Sequence, residues 1–414
     1  MKIALLEFSV KNFKIFKEKL SFSMFARKSI HTFEENGENI LKTSLIFGPN
    51  ASGKSSLLDA FAVFKYLIIN STNNSINNSE DEISAIPYQP FKLADSETEP
   101  IFFEAVISLG EQVFRYNFSF IKDRIITENL LEISSTGAEK VYLRRNEQKI
   151  EVFLDLASSK DVADVKTKKG MLFLSAASQW NNSLAEKIVE GFKKNINVIS
   201  GPNSDIYRNY TIDLFKSNED IKNKIINFLK KADFCIENGF VETMAVPEFM
   251  RKQIQMSTST KSVPSEMDTI FFSHNKFDHD GNKLGEFKFN LGDESVGTQK
   301  FFDVLGPIVD TLEGGKVLFI DEFDNSLHPF LTKFIIDLFE KTNPNNAQLI
   351  VTTHDSSLLS HKELNKEQFW FTEKDKFGAA RIFSLAEFDI RNEIEFSKKY
   401  FEGRFGALPF INFE

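Results

Sequence analysis

An α/β fold is predicted for this 414-residue chain by three short stretches. Leu45-Ile46-Phe47 is an apolar run that enters a loop spaced G-x-x-x-x-G-K-S, from Gly48 to Ser55, and a helical pattern leaves that loop. Lys316-Val-Leu-Phe-Ile-Asp321-Glu322 is a second apolar run, and it ends in two carboxylates. Ala347-Gln-Leu-Ile-Val-Thr-Thr-His354 is a third, ending in a histidine. Short, wholly apolar runs read as buried parallel strands, and an α/β sheet presents its reactive groups at the C-terminal ends of such strands.

The loop is the most specific of these signals. Gly48 and Gly53 allow backbone N–H groups to curl around phosphate oxygens, with Pro49, Asn50, Ala51, Ser52 and Ser56 completing the cradle. Lys54 would reach the β- and γ-phosphates, and Ser55 would place its hydroxyl on Mg²⁺. Leu57, Phe61, Phe64 and Ile68 recur every three or four residues, which predicts an amphipathic helix to about Asn70. Strand, loop and helix in that order predict a nucleotide-binding loop.

Before the loop, residues 1–25 alternate between apolar and polar and read as two short strands joined by a turn. After the helix, residues 70–82 are polar and low in complexity, as in a surface loop. Ile101–Leu109 and Val113–Ile121 flank Gly110-Glu-Gln, a hairpin signal, and Ile125–Ile133 continues the meander, so an antiparallel subsheet is expected. Residues from about 150 to 265 have helical stretches at Ala185–Phe192 and Asp220–Phe234, separated by loops at Gly201–Ser204 and Ser257–Ser262. Without sustained heptads, this region is expected to be a compact helical insert. Met267–Phe277 and Leu284–Asn290 read as a hairpin around Asp278–Lys283, a tip that lacks the sixth-position Gly and distal Glu of a calcium loop.

In the second half, Asp321 would hold Mg²⁺ opposite Ser55, and Glu322 would orient and deprotonate an attacking water. His354, one strand later, would stand within reach of the γ-phosphate. Between the hairpin and this strand, Ser295, Gly297 and Thr298 open a helix through Phe302, Leu305 and Leu312; such a start caps the helix or offers N–H groups to an anion. Pro307 inside that helix predicts a kink or break.

Composition is that of an ordinary soluble protein, with 42% hydrophobic and 26% charged residues, and the length allows two or three domains. Phe is the outlier, at 45 against 7 Tyr and 2 Trp, a bias read as background rather than as a stacking surface. The net charge of −9 argues against an extended nucleic-acid footprint but leaves a local basic groove open. Cys235 is the one cysteine, so no internal disulfide forms, which fits a reducing compartment. Charge interrupts Met1–Phe8 too early for a signal peptide and no run reaches membrane-spanning length, so a cytoplasmic location without membrane attachment is expected.

Taken together, the motifs resemble those of the ABC-type ATPase fold in its SMC-like branch. Gly48–Ser55 matches the phosphate loop, Ser295-Val-Gly297-Thr298 the signature, Val317–Glu322 the Walker B strand, Phe323–Pro329 the D-loop and His354 the switch histidine. The resemblance implies lobe I at residues 1–135, a helical insert at 136–265 and lobe II at 266–414. More narrowly, the chain resembles the stand-alone ATPases of bacterial antiphage operons, such as the ATPase subunit of the PARIS system and relatives of the overcoming-lysogenization-defect proteins. Val10–Phe16, Gln89–Leu93, Glu99–Glu104, Ala232–Ile236, Glu294–Thr298, Asp324–Pro329 and above all Tyr400–Pro409 carry that likeness.

What the resemblance implies is a head-to-tail homodimer, with each ATP between one copy's phosphate loop and the other's Ser295-Val-Gly297. It also implies a separate effector, a nuclease or toxin, in antiviral defence. Two departures are visible: Val296 and Thr298 replace the transporter residues of the signature, and Lys14 stands where relatives carry Arg near the nucleotide. Gln89 is the candidate Q-loop ligand of the metal. Two other readings compete. A self-contained nuclease would need a further domain, for which the 60 residues after His354 (414 − 354) are too few. An SMC-type DNA clamp or repair ATPase would use basic clusters such as Arg144-Arg145, Lys166–Lys169 and Lys193-Lys194.

Overall fold

The structure is a computed structural model that describes residues 2–27, 31–72, 87–94, 98–200, 204–232, 234–249, 251, 265–325, 327–389 and 396–407. Most of the expected loops at 70–82, 201–204 and 257–262, with Ser326, Leu408 and Pro409, lie outside the described residues. The chain divides into two compact units. One comprises residues 1–201, 311–324 and 332–414, and the other residues 202–310 and 325–331.

The first unit is built on two sheets. The six-stranded sheet runs Ile196–Ile199, Val317–Ile320, Gln348–Thr352, Thr43–Phe47, Phe369–Lys374, Ala380–Ser384, with parallel pairing throughout except at the last, antiparallel pair. The strands Thr43–Phe47, Val317–Ile320 and Gln348–Thr352 are buried at every residue, as the apolar runs require of parallel strands covered on both faces. The seven-stranded sheet is wholly antiparallel and includes the expected meander Ile101–Leu109, Gln112–Phe120, Ile125–Ile133, extended by Glu139–Asn146 and Lys149–Val152. Ile3–Lys11 and Leu20–Ser23 complete its other edge. The α/β class with an antiparallel subsheet is therefore as expected.

Helix Lys54–Asn70 lies between the sheets. Phe61 stacks on Phe319 of the parallel sheet at 4.4 Å and meets Phe8 of the antiparallel sheet edge-on at 4.9 Å. Phe64 stacks on Phe118 at 5.3 Å and touches Phe103 and Phe192. The Phe-rich composition thus supplies the large apolar rings that fill this space. One buried amide also ties the sheets together: Gln348 accepts from the Leu5 N–H at 2.7 Å and donates to the Leu5 carbonyl at 2.9 Å, next to a bulge in the pairing of strand Ile3–Lys11.

Residues 136–265 hold strands as well as helices. Glu139–Asn146 and Lys149–Val152 extend the antiparallel sheet, and Ile196–Ile199 is an edge strand of the parallel sheet. Helices Phe173–Gln179 and Ser183–Asn195 belong to the first unit, the former bonded to helix Lys54–Asn70 through Ser175 Oγ and the Ile68 carbonyl at 2.6 Å. Arg145, in one of the basic clusters a DNA clamp would use, is fully buried and paired with the equally buried Glu128. Lys169 pairs with Asp123 and Lys194 with Glu190, so these clusters carry local counter-charges.

The second unit holds helices Ser204–Ser217 and Glu219–Lys231 and a three-stranded antiparallel sheet, Ile236–Ala245, Glu266–Phe277, Lys283–Asn290. Phe302, on helix Val296–Gly314, is packed by Phe215 and Phe272. That helix runs through Pro307 without a break. Proline removes the N–H that would reach the Asp303 carbonyl, and the buried Thr211 hydroxyl donates to that carbonyl instead at 2.9 Å. The same hydroxyl accepts from the Gly306 N–H at 3.2 Å, and a Cβ at Gly306 would approach Thr211 Cα to 2.7 Å. A partner distant in sequence cancels the local signal.

Glu340 supplies a pH dependence of stability. Its buried carboxyl accepts from the Thr43 hydroxyl and the Gln368 amide, while its second oxygen has no partner among the described residues. Burial raises its pKa to about 7, against the pull of the Thr43 bond, Lys42 and the Gln368 bond. A raised carboxyl favours the folded state fully below pH 4.5 and loses that advantage as pH rises through about 7. Urea melts are expected to show Glu340→Gln flattening the fall in stability between pH 5 and pH 8 by about 3 kcal/mol. An unchanged slope would contradict this.

Candidate active site

The C-terminal ends of the central parallel strands converge on one cavity of about 440 Å³, lined by Ile15, Asn50, Ala51, Ser52, Gly53, Lys54, Ser55, Ser56, Glu322, His354 and Lys374. Strand Thr43–Phe47 feeds the loop, and helix Lys54–Asn70 leaves it. Gly48 has φ +153°, and a Cβ there would collide with Thr372 and Ser52. Gly53 has φ +118°, and its Cβ would press on Phe16 and Ile15. Both glycines are thus required by backbone conformation and by close approach. Pro49 accepts from the Ser52 N–H at 3.3 Å and Ala51 is left-handed at φ 60°, which curls the loop over the helix start.

Lys54 is buried, and its ammonium donates to the carbonyls of Gly48 at 2.7 Å and Pro49 at 3.1 Å. Burial lowers its pKa, against the upward pull of Asp321, Asp324 and Glu322. The lysine therefore stands over the loop with the carboxylates that follow strand Val317–Ile320 close by.

Those carboxylates are organised by Thr352. Its hydroxyl donates to Asp321 Oδ1 and accepts from the Glu322 N–H at 2.8 Å. Glu322 is left-handed at φ 49°, an uncommon conformation for a side chain of this size and one that turns it to line the cavity. Asp324 accepts from the His354 N–H at 3.1 and 3.2 Å. Burial first, then the charge of Lys54, lowers the His354 pKa, against Asp324, Glu322 and Asp321. Both causes disfavour the imidazolium form.

Asn50–Ser56, Glu322 and His354 are brought to one cavity wall, with Asp321 bonded beside them through Thr352. Gly48, Pro49, Lys14 and Gln89 are not among the lining residues. Lys14 is left-handed at φ 51° and pairs with Asp59 at 2.6 Å, and its N–H donates to the Gln89 carbonyl at 2.8 Å. Its neighbour Ile15 reaches the cavity instead. Ser295, Gly297 and Thr298 lie in the second unit. There Ser295 Oγ accepts from the Thr298 N–H at 3.1 Å and shares a hydrogen bond with the Thr298 hydroxyl, capping helix Val296–Gly314.

Sequence reasoning missed Thr352, Thr372, Asp324 as a partner of His354, and Lys374. Thr352 and Thr372 end apolar runs where threonine reads as a plain strand former. Thr372 shares a 2.6 Å hydrogen bond with Ser52 and donates to the Phe47 carbonyl at 3.3 Å, bracing the loop from the neighbouring strand. Thr352→Val should keep the strand and lower any turnover at this site about tenfold, since the loss of one such bond costs roughly 1–2 kcal/mol. Full activity in that variant would deny the hydroxyl an organising role.

The donor set fits a nucleoside triphosphate and Mg²⁺: curled amides and Lys54 for phosphate oxygens, and the Ser55 hydroxyl with the Asp321 carboxylate for a hard cation. Among the described residues no group of three or more His, Cys, Asp or Glu is arranged to hold a metal by itself.

A family model described as "AAA domain, putative AbiEii toxin, Type IV TA system" matches residues 44–360. No curated protein matches the sequence. Among solved structures, the chain is similar to an Smc head bound to the C-winged helix domain of ScpA, at 12% identity and TM-score 0.44, over 92% of this chain and 97% of that one. It is also similar to the SMC head domain from Thermotoga maritima, at 15% identity and TM-score 0.40, over 93% and 99% of the two chains. No described helix is long and apolar enough to cross a membrane.

Proposed function

The chain belongs to that AAA-domain family, and from this premise we propose that it binds and hydrolyses ATP as an SMC-like ABC-type ATPase. The observation that carries the reading is the meeting of the phosphate loop, Glu322 and His354 on one cavity, with Asp321 and Glu322 joined through Thr352.

The chemistry is transfer of the γ-phosphoryl group to water, in which positioning and electrostatics do most of the work. The loop amides and Lys54 hold the phosphate chain. Ser55 and Asp321 would hold Mg²⁺, which would supply positive charge against the negative charge of the phosphate oxygens. Glu322 orients the attacking water and accepts its proton. His354, whose cation burial and Lys54 disfavour, donates a hydrogen bond to the γ-phosphate while Asp324 holds its backbone.

Each site is completed by a second copy, whose Ser295, Gly297 and Thr298 present the start of helix Val296–Gly314 to the phosphate. Support for this is local: Ser295 caps the turn, and no acidic residue stands in it. ATP binding then closes a homodimer and hydrolysis opens it. We assign the effector role, as nuclease or toxin in antiphage defence, to a separate partner protein. The test is ATP turnover and particle size of the purified protein beside its Glu322→Gln variant. Equal turnover by the two would overturn the assignment.

A further inference from the structure

The two lysines on the cavity wall are Lys54 and Lys374, and only Lys54 belongs to a recognised motif. Lys374 ends strand Phe369–Lys374, two residues beyond Thr372 and so on the same face of the strand. Thr372 is bonded to Ser52 of the phosphate loop, which sets that face toward the nucleotide. Lys374 pairs with Ala380 through its backbone, while its side chain is exposed and its ammonium has no hydrogen bond or ion pair among the described residues. A triphosphate brings several negative charges into a cavity that also holds Glu322, and Lys54 alone is balanced by three nearby carboxylates. A second cation on the wall answers that charge.

The strand end is held by a part of the chain with no other evident task. Glu373, on the opposite face, accepts from Arg381 Nε at 2.8 Å and from the Ala407 N–H at 3.1 Å. Gly406 is left-handed at φ +68°, and a Cβ there would collide with Glu373 Oε2. Tyr400 donates its hydroxyl to the Ala407 carbonyl at 3.0 Å, and Tyr400 and Phe405 pack on Phe371 at 5.5 and 6.0 Å. Beyond the strand, Asp375 caps the hairpin turn by accepting from the Phe377 and Ala379 N–H groups, and the Ala380 N–H donates to the Ile15 carbonyl at 2.8 Å. Both ends of the Lys374 backbone are therefore anchored.

We propose that Lys374 is a second phosphate-binding lysine of the nucleotide site, and that the Tyr400–Ala407 turn is the device that positions it. The proposal rests on the reading of the cavity as a nucleotide site, and it gives the C-terminal motif a task in that site. Lys374 contributes a charge-assisted hydrogen bond to the phosphate chain of ATP or ADP. The turn acts through Glu373 and Phe371, without touching nucleotide.

Calorimetric titration of full-length protein with ATP and with ADP tests both halves. Lys374→Met keeps the aliphatic stem and should weaken both ligands about tenfold, the order expected for one hydrogen bond to a charged partner. Lys374→Arg should recover most of the loss, and the deficit of Lys374→Met should shrink as salt is raised. Lys376→Met, on the same hairpin but off the cavity wall, should bind as wild type does. Gly406→Ala and the gentler Tyr400→Phe should raise the KM for ATP more than they lower kcat, and should add nothing in the Lys374→Met background. Wild-type binding that survives Lys374→Met overturns this assignment alone, whereas a wild type that binds no nucleotide overturns the nucleotide reading and this one with it. Additive losses in the double variants overturn the positioning role of the turn.

Discussion

Glu322→Gln is expected to bind ATP as the parent chain does, to lower kcat by about 10²–10⁴-fold, and to accumulate as a nucleotide-bound dimer. Glutamine fills the same space and keeps the left-handed backbone whose N–H donates to Thr352, so the wall of the cavity survives. It cannot accept a proton from water. Because Lys54, Ser55 and Asp321 are untouched, affinity is preserved while the chemical step is stopped. Turnover measured by phosphate release, affinity by calorimetry and mass by light scattering separate the three claims. Retained hydrolysis would remove Glu322 from the mechanism, and a monomer saturated with ATP would remove the composite site.

The largest expected effect on stability comes from Glu128→Ala, at about 3–5 kcal/mol, the usual cost of leaving a buried charge without its partner. Glu128 and Arg145 are both fully buried and face each other across paired strands. The carboxylate also accepts from the Tyr116 hydroxyl at 2.8 Å and from the Phe173 and Leu174 N–H groups at 2.7 and 3.0 Å, where helix Phe173–Gln179 begins. Burial and the carboxylate together push the Tyr116 pKa well above the usual tyrosine range. Removing Glu128 strands a guanidinium, a phenol and two amides at once. Replacing the ion pair by Met at both positions should cost less than Glu128→Ala alone, because no charge is then left unpaired. Urea unfolding measures both, and a loss under about 1 kcal/mol in Glu128→Ala would contradict the account.

The strands of the parallel core were legible because burial on both faces demands uninterrupted apolar runs, as at Leu45–Phe47 and Val317–Ile320. The meander was legible for a related reason, since hairpins put their turn signals in the sequence, and strand Ile125–Ile133 begins and ends as expected. Ile196–Ile199 was not. Four residues following a helix carry too little pattern, and their strand identity comes from pairing with Val317–Ile320, more than a hundred residues away. For the same reason Pro307 does not break its helix, because its remedy is the hydroxyl of Thr211.

By itself the sequence determined the phosphate loop, the carboxylates Asp321 and Glu322 and the histidine at the end of the third run, since each is a local requirement of backbone conformation or charge written at fixed spacing. The tertiary structure decided which side chains organise them. Thr352 joins Asp321 to Glu322 from 30 residues away, Thr372 braces Ser52 from 320 residues away, and Lys374 reaches the cavity on the strand that Ala407 and Arg381 hold. A hydroxyl acquires such a role only when folding brings a partner within about 3 Å, and an ammonium only when folding carries its strand end to the cavity; no spacing along the chain encodes either.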